Sequence, residues 1–265
     1  MLCEYVFAPS GTSDEARREL DDWVGALLSR YRKNGQLWGD VVTGWVDGAL
    51  RATFHVPTAD ALEPSNASKG VTAALAKVQG LCAGGPSWRV VGESSDTNAG
   101  VIDGAKALIV RADMFTNTSP VFEGGDGTPV PLFALSIDWN VREQLQAWMR
   151  RTQLHDELWI NSGRLESAAY QELSMPDSAL SAEGRELAKQ LETATGVATY
   201  YFLKHYWGRR AEDRRDACPA CGGAWAADKL GSGSARVSQG IDGFALRCDA
   251  CRIVSERATA ASQDD

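Results

Sequence analysis

The sequence lacks any apolar run approaching the roughly 20 residues that span a bilayer. It also lacks a signal peptide, because Glu4 stands where the basic region would be and the first apolar stretch stops at Ala8. Basic side chains are not in surplus: 27 Lys plus Arg against 35 Asp plus Glu leave a net charge of −8 over 265 residues. These absences predict a cytoplasmic protein with no membrane partner, and they argue against a protein that coats nucleic acid.

Recognisable catalytic motifs are also missing. No GxSxG, HExxH, Walker or kinase motif occurs in the chain. The Gly-rich stretch 124–127 has neither the Walker lysine nor a predicted helix after it, so turn formation accounts for it. The chain has three histidines, and none lies in a two-histidine metal spacing: His55, His155 and His205. The sequence therefore predicts that the protein is not an enzyme.

Four of the six cysteines form two CxxC pairs, Cys218-Pro-Ala-Cys221 and Cys248-Asp-Ala-Cys251, which 26 residues separate. In a reducing compartment, such pairs indicate a metal site before disulfides. Each pair can fold into a tight turn whose two thiolates converge on one ion, and two such turns complete the tetrahedral shell of structural zinc. The spacing predicts one zinc ion on these four cysteines, in a zinc ribbon over residues 208–256.

Two other uses of paired cysteines fit this spacing less well. A thioredoxin-like redox site needs one CxxC at a strand-to-helix junction, not two matched pairs. An iron–sulfur cluster usually has closer or different cysteine spacing. Because four thiolates leave no coordination position for water or substrate, the zinc ion is expected to be structural and not catalytic.

The first 95 residues predict a ferredoxin-like βαββαβ sandwich. Alternation at the N-terminus, a helix opening at Ser13, a hairpin and a second helix give this order. The elements are strand 3–8, helix 13–31, the two hairpin strands, helix 68–81 and strand 87–91.

The hairpin turn is predicted at Asp47-Gly48, a pair that favours a type I′ turn. A two-residue turn there pairs Trp45 with Leu50, and Val41 with Phe54. The face predicted to be buried carries Val41, Thr43, Trp45, Leu50, Ala52, Phe54 and Val56. The opposite face has no aromatic residue, so RNA binding by base stacking on this sheet is not expected.

Residues 96–207 predict a middle region of short strands followed by helices, and residues 257–265 a disordered tail. The predicted fold class is therefore α+β: an N-terminal ferredoxin-like sandwich, a strand and helical middle region, and a C-terminal four-cysteine zinc ribbon.

The negative charge is not evenly spread. Residues 1–137 carry 11 basic and 16 acidic side chains (−5), residues 138–200 carry 6 and 10 (−4), and residues 201–265 carry 10 and 9 (+1). A small basic cluster thus leads into the ribbon, and it is interpreted either as a solvated linker or as a strip that contacts phosphates. The candidate nucleic-acid contacts are Lys204, Arg209, Arg210, Arg214, Arg215, Arg247 and Arg252.

The chain resembles a bacterial family of zinc-ribbon-containing proteins for which nucleic-acid binding is suggested. The residues that carry the resemblance are Leu158–Gly163, Glu166, Ala169-Tyr170, Leu180-Ser181, Gly184-Arg185, Glu192, Thr199–Tyr201, Cys218–Trp225 and Cys251–Ser255. It covers roughly residues 106–256, and its most specific part is the ribbon. The resemblance implies zinc at the four paired cysteines.

Two binding functions follow from these observations. In the first, the acidic body binds a basic protein partner, in an inhibitory, immunity or regulatory role. In the second, residues 204–215 and the zinc ribbon contact nucleic acid. The charge distribution confines any nucleic-acid contact to the C-terminal end.

Overall fold

The structure is a computed structural model that describes residues 1–93, 98–206, 217–225 and 241–256. The described residues divide into two compact units. The first unit comprises Met1–Ala99, Asn117–Ser119 and Pro131–Glu143, and the second comprises Gly100–Thr116, Pro120–Val130 and Gln144–Asp265. Among the described residues, no helix is both long and apolar enough to cross a membrane.

Five helices and nine strands are formed by the described residues. The helices are α1 Asp14–Lys33, α2 Lys69–Leu81, α3 Trp139–Asn161, α4 Glu166–Ser174 and α5 Ala179–Thr195. The strands are β1 Leu2–Phe7, β2 Trp38–Val46, β3 Ala49–His55, β4 Ser87–Gly92, β5 Leu108–Val110, β6 Val121–Glu123, β7 Thr199–Phe202, β8 Leu246–Cys248 and β9 Ile253–Ser255.

The first unit is a four-stranded antiparallel sheet with α1 and α2 packed on it. Its strands lie in the order β2-β3-β1-β4, and the predicted βαββαβ order of elements is confirmed. The core lies between the helices and the alternate residues of β1 and β3 that face them, such as Tyr5, Phe7 and Phe54, with Leu27 and Val78 from the helices. Tyr5 and Phe7 are buried, so neither is available on the open face of the sheet.

Local sequence signals account for the ends of these elements. Ser13 caps α1, because its hydroxyl accepts a hydrogen bond from the backbone N–H of Ala16. The turn between β2 and β3 has φ of 51° at Asp47 and 76° at Gly48, which is the geometry of a type I′ turn. Trp45 pairs with Leu50 as predicted.

The predicted buried face of this hairpin is confirmed for β3 and is wrong for most of β2. Leu50 and Phe54 are buried, whereas Thr43 is exposed and the Trp45 side chain is 38% exposed. The reason is that β2 is the edge strand, so its outer part lies beyond the helices. A register shift between Trp38 and Val42 also interrupts the predicted pairing there.

The second unit is built on a five-stranded mixed sheet in the order β6-β5-β7-β9-β8. The three central strands, β5, β7 and β9, run parallel, and β6 and β8 pair antiparallel at the two edges. The parallel strands are buried throughout and apolar, as strands covered on both faces usually are.

The strands of the predicted ribbon belong to this sheet. The sequence predicted a separate ribbon domain over residues 208–256, but β8 and β9 extend the sheet of β5 and β7 in the structure. Two strands of three residues each cannot bury a core alone, and pairing β9 with β7 supplies one. The predicted boundary at 95 and the predicted tail 257–265 lie outside the described residues.

Helix α5 packs against β7 through a glycine. A Cβ atom on Gly184 would lie 2.3 Å from Cε2 of Tyr201 and 2.8 Å from Nε1 of Trp148. Hydrogen bonds hold both rings in place: Trp148 Nε1–H donates to the carbonyl of Leu180 (3.1 Å), and the Tyr201 hydroxyl donates to Ser181 Oγ (3.2 Å). The helix can approach the strand this closely because residue 184 has no side chain.

Candidate metal centre

The two CxxC pairs form matched turns. In each turn, the residue after the second cysteine adopts the left-handed conformation, with φ of 72° at Gly222 and 53° at Arg252. In the first turn, the N–H of Gly222 donates to the carbonyl of Cys218 (2.8 Å). The second turn connects β8 to β9, which places Cys248 at the end of one strand and Cys251 just before the next. Both turns direct their sulfur atoms to one point.

The spacing of the sulfur atoms fits a single metal ion. All four Sγ atoms of Cys218, Cys221, Cys248 and Cys251 lie within 4.8 Å of one another. The Sγ atoms of Cys221 and Cys248 are 3.8 Å apart, and a tetrahedron with metal–sulfur bonds of about 2.3 Å has edges of about 3.8 Å. None of the four cysteines forms a disulfide. The cluster predicted from sequence is therefore confirmed as a site that can hold a metal ion.

The thiols influence one another's ionisation. A hydrogen bond from the backbone N–H of Gly223 and contacts with the other thiols lower the pKa of Cys221 to about 7. Burial raises the pKa of Cys251, and the neighbouring thiols of Cys221 and Cys248 raise it further. Burial is also the main cause that raises the pKa of Cys248. In the absence of a cation, the protein favours one thiolate in this cluster, because like charges at this distance repel.

A charged network fastens the second cysteine turn to the rest of the unit. The guanidinium of Arg252 makes a bidentate pair with Glu192 of α5, with Nε–Oε2 and Nη2–Oε1 distances of 3.1 and 3.0 Å. Arg252 also donates to the hydroxyl of Tyr200 (3.3 Å), and that hydroxyl donates to Asp249 in the same turn (2.6 Å). Glu192 in addition accepts from the backbone N–H of Thr199 (3.1 Å).

This network shifts the pKa of its carboxylate. Burial raises the pKa of Glu192, but the hydrogen bonds from Arg252 and Thr199 lower it more, and the net direction is downward. The sequence analysis gave no role to Glu192 or Tyr200. Glu192 and Arg252 are 60 positions apart, and no spacing rule connects residues at that separation.

The described residues that were predicted to contact nucleic acid are all engaged with carboxylates. Lys204 pairs with the buried Asp156, and its ammonium lies 4.6 Å from the ring centre of Trp159. Arg247 pairs with Asp249 at 3.2 Å, and Arg252 with Glu192 as described above. The remaining predicted contacts lie outside the described residues: Arg209, Arg210, Arg214 and Arg215.

A cavity of about 410 Å³ lies beside the second cysteine turn. Helix α5 forms one wall, with Arg185 and Lys189, and the other wall includes Cys251 and Arg252. Cys251 is thus the cysteine that borders this cavity, while Cys218 and Cys248 are buried.

The fold and the site together define a mixed α+β protein with an N-terminal antiparallel sheet and a C-terminal four-cysteine cluster that can hold a metal ion. Three family descriptions match successive parts of the chain, and each is of a domain of unknown function. They are DUF8589 over residues 2–92, DUF2310 over residues 104–204 and DUF8594 over residues 208–261. No zinc-ribbon family is named among them.

Two similar proteins come from Haemophilus influenzae, and both are described as uncharacterized. One is 28% identical over 241 residues, which is 88% of this chain and 88% of the relative. The other is 34% identical over 140 residues, which is 52% of this chain and 64% of the relative. These relatives are bacterial, and their descriptions assign no activity.

Two solved structures resemble about a third of the chain. An antibiotic biosynthesis monooxygenase is 13% identical with a TM-score of 0.29, over 36% of this chain and 99% of its own. Rv0793 from Mycobacterium tuberculosis is 16% identical with a TM-score of 0.29, over 37% of this chain and 97% of its own. Likenesses of this size carry no argument about activity, and they do not establish an enzyme.

Proposed function

We propose that the cysteine cluster holds one structural zinc ion as a zinc ribbon. The observation that carries this is the placement of four sulfur atoms from two matched turns within 4.8 Å. Thiolate ligands in a tetrahedral set favour zinc over hard cations such as Mg²⁺ and Ca²⁺. Four protein ligands would leave no position for water, so the ion would stabilise the fold and would not activate a substrate.

The ion would join two parts of the second unit that are distant in sequence. The first cysteine turn, residues 218–221, has few other partners among the described residues, whereas the second lies between β8 and β9 and is fastened to α5 by Arg252. Metal binding would therefore order the first turn against an existing sheet edge. Metal affinity would then contribute directly to folding.

The protein that this zinc stabilises acts, in this proposal, as a non-enzymatic cytoplasmic binding protein for a basic protein partner. Two observations support a protein partner. The described cations Lys204, Arg247 and Arg252 already have carboxylate partners, so a nucleic-acid phosphate would have to displace a carboxylate. The first nine residues of α1 also expose five carboxylates and two arginines: Asp14, Glu15, Arg17, Arg18, Glu19, Asp21 and Asp22.

Binding measurements on the full chain separate the two candidate partners. Labelled DNA and RNA are titrated at low and high salt, and the chain is also used as bait in an extract of its source cells. The proposal expects one stoichiometric basic protein and no salt-sensitive nucleic-acid binding. Neutralising Asp21 and Asp22 to Asn should weaken capture, whereas Asp47→Asn, a matched neutralisation in the hairpin turn, should not. Salt-sensitive nucleic-acid binding that disappears when Arg209, Arg210, Arg214 and Arg215 become Ala would overturn it.

A further inference from the structure

The carboxyl ends of the three parallel strands lie side by side in the second unit. Strands β5, β7 and β9 are adjacent and parallel, and they end at Val110, Phe202 and Ser255. In sheets with parallel strands, ligands bind in the crevice outside these ends. The chemistry of the residues that follow each strand therefore indicates what this edge could bind.

Charged residues follow all three strands. Arg111 and Asp113 come after β5, Lys204 and His205 after β7, and Glu256 directly after β9. The charges of Asp113 and Glu256 act on Arg111, and the charges of Lys204, Arg111 and Asp113 act on Glu256, so these groups face one another. The ring Nδ1 of His205 lies 3.2 Å from the backbone carbonyl oxygen of Glu256. Three separate chain segments thus bring their charges to one edge.

One ion pair in this cluster is already complete. Asp156 of α3 is 2% exposed, and its carboxylate pairs with Lys204 and accepts a hydrogen bond from the backbone N–H of Met114 (2.9 Å). Asp156 therefore offsets the charge of Lys204 and fixes its stem over Trp159. The guanidinium of Arg111 is placed by Phe122, since its carbon lies 4.0 Å from the ring centre. Both cations are thus held by their surroundings.

The carboxyl of Glu256 differs from these groups. No hydrogen bond or ion pair within the described ranges engages it, although Lys204 and Arg111 are near enough to influence it. Burial raises the pKa of Glu256, the charges of Lys204 and Arg111 lower it, and the net direction is upward. A partly buried acid near two cations, with no partner of its own, has capacity to bond something else. Arg111, Asp113 and Glu256 each remain partly accessible to solvent.

We propose that this edge, defined by Arg111, Lys204 and Glu256, is a binding site for a small oxyanion, a carboxylate or a phosphate. Arg111 and Lys204 would donate to the anion from one side, and Glu256 would donate its carboxylic acid proton as a hydrogen bond from the other. With Glu256 neutral, the charges of the two cations and of Asp113 and Asp156 cancel. One added anion is then tolerated, and its hydrogen bonds to charged donors supply the affinity.

The test measures binding of inorganic phosphate, and separately of acetate, to the full zinc-loaded chain by isothermal titration calorimetry. Arg111→Gln should weaken binding about tenfold or more, because it removes a charged donor. Arg111→Lys keeps the charge and should retain part of the affinity. Arg247→Gln, which removes an arginine paired elsewhere, should leave binding unchanged. Circular dichroism of each variant shows whether it is folded.

The role assigned to Glu256 has its own test. Glu256→Gln replaces the acid with a neutral donor of the same shape, so it should bind the anion at least as well as the wild type. Wild-type binding should weaken as the pH rises and Glu256 ionises, and the Gln variant should lack that part of the pH dependence. The other groups that face Glu256 are Arg111, Asp113, Lys204 and His205, and all are present in both proteins.

Three results would overturn the proposal. One is the absence of any binding of either anion by the folded wild type at 100-fold excess over protein. Another is equal binding by the folded Arg111→Gln variant. The third is loss of binding in the Glu256→Gln variant, since an anion site would then need a charge that the proposal does not require. If phosphate binds and acetate does not, the ligand belongs to the phosphate class, and the reverse assigns it to carboxylates.

Discussion

Replacing Cys248 by Ser should weaken metal binding by two to three orders of magnitude. Structural zinc on four ligands has an apparent binding free energy of about 10–16 kcal/mol, so each ligand contributes roughly 3–4 kcal/mol. Since about 1.4 kcal/mol corresponds to a factor of ten, the loss of one sulfur should raise Kd about 100- to 1,000-fold. Cys248 is the end residue of β8, is 4% exposed and lies 3.8 Å from its neighbour's sulfur, so a longer-range substitute ligand is not at hand.

The same change should reduce stability. At a free zinc concentration 1,000-fold above Kd, binding stabilises the folded state by about 4.1 kcal/mol, and most of this should be lost in the variant. The assays are metal content per chain after dialysis, competition with a chromophoric chelator, and urea unfolding with and without chelator. Cobalt substitution should show the spectrum of a tetrahedral four-thiolate ion in the wild type only.

Cys82→Ala is the matched control for this experiment. Cys82 is a buried thiol of the first unit that is not part of the cluster, so its removal should leave one bound ion and an unchanged Kd. The reasoning would be refuted by a folded Cys248→Ser protein that binds zinc as tightly as the wild type. It would also be refuted by a wild-type protein that, purified with zinc and under reducing conditions, holds none.

Three further outcomes follow from the structure, all measured by urea unfolding. Gly184→Ala should destabilise by about 1–3 kcal/mol because its Cβ meets buried rings, while Gly25→Ala, with open space in α1, should stabilise by up to about 1 kcal/mol; equal effects would contradict the close packing. Ser178→Ala should cost about 1 kcal/mol, because Ser178 caps α5, and no loss would mean that the cap is unimportant. Glu192→Gln should cost about 1 kcal/mol at pH 7. Because the folded-state pKa of Glu192 is depressed, its contribution is complete above the unfolded value of about 4.3 and disappears as the pH falls through the folded value, so the difference from wild type should shrink in acid. A pH-independent difference would contradict the ion pair.

Features that depend on a few neighbouring residues could be predicted from the sequence. The turn at Asp47-Gly48 needs two residues with positive φ, and few pairs tolerate this. The start of α1 needs a side-chain acceptor, which Ser13 supplies. The convergence of the four cysteines follows from the geometry of a CxxC turn and a connecting hairpin. In each case the information lies within a short stretch of chain.

Features that depend on long-range packing could not be predicted in the same way. The alternation in β2 indicates a buried face at Trp45, yet only the strand order shows that β2 is an edge strand. A row of cations reads as a phosphate-binding strip in the sequence, but Arg252 meets Glu192 and Lys204 meets Asp156 once the chain is folded. Whether a charge is free depends on partners 48 to 60 positions away.

The sequence by itself determined the element order of the first unit, its hairpin turn and the metal-ligand set, because local backbone preferences and ligand spacing are properties of short segments. Tertiary structure alone decided that β9 lies beside β7 and that the carboxyl ends of β5, β7 and β9 adjoin. Short strands have no unique partner of their own, and the partner is selected by burying apolar faces together. That selection placed Arg111, Lys204 and Glu256 at one edge.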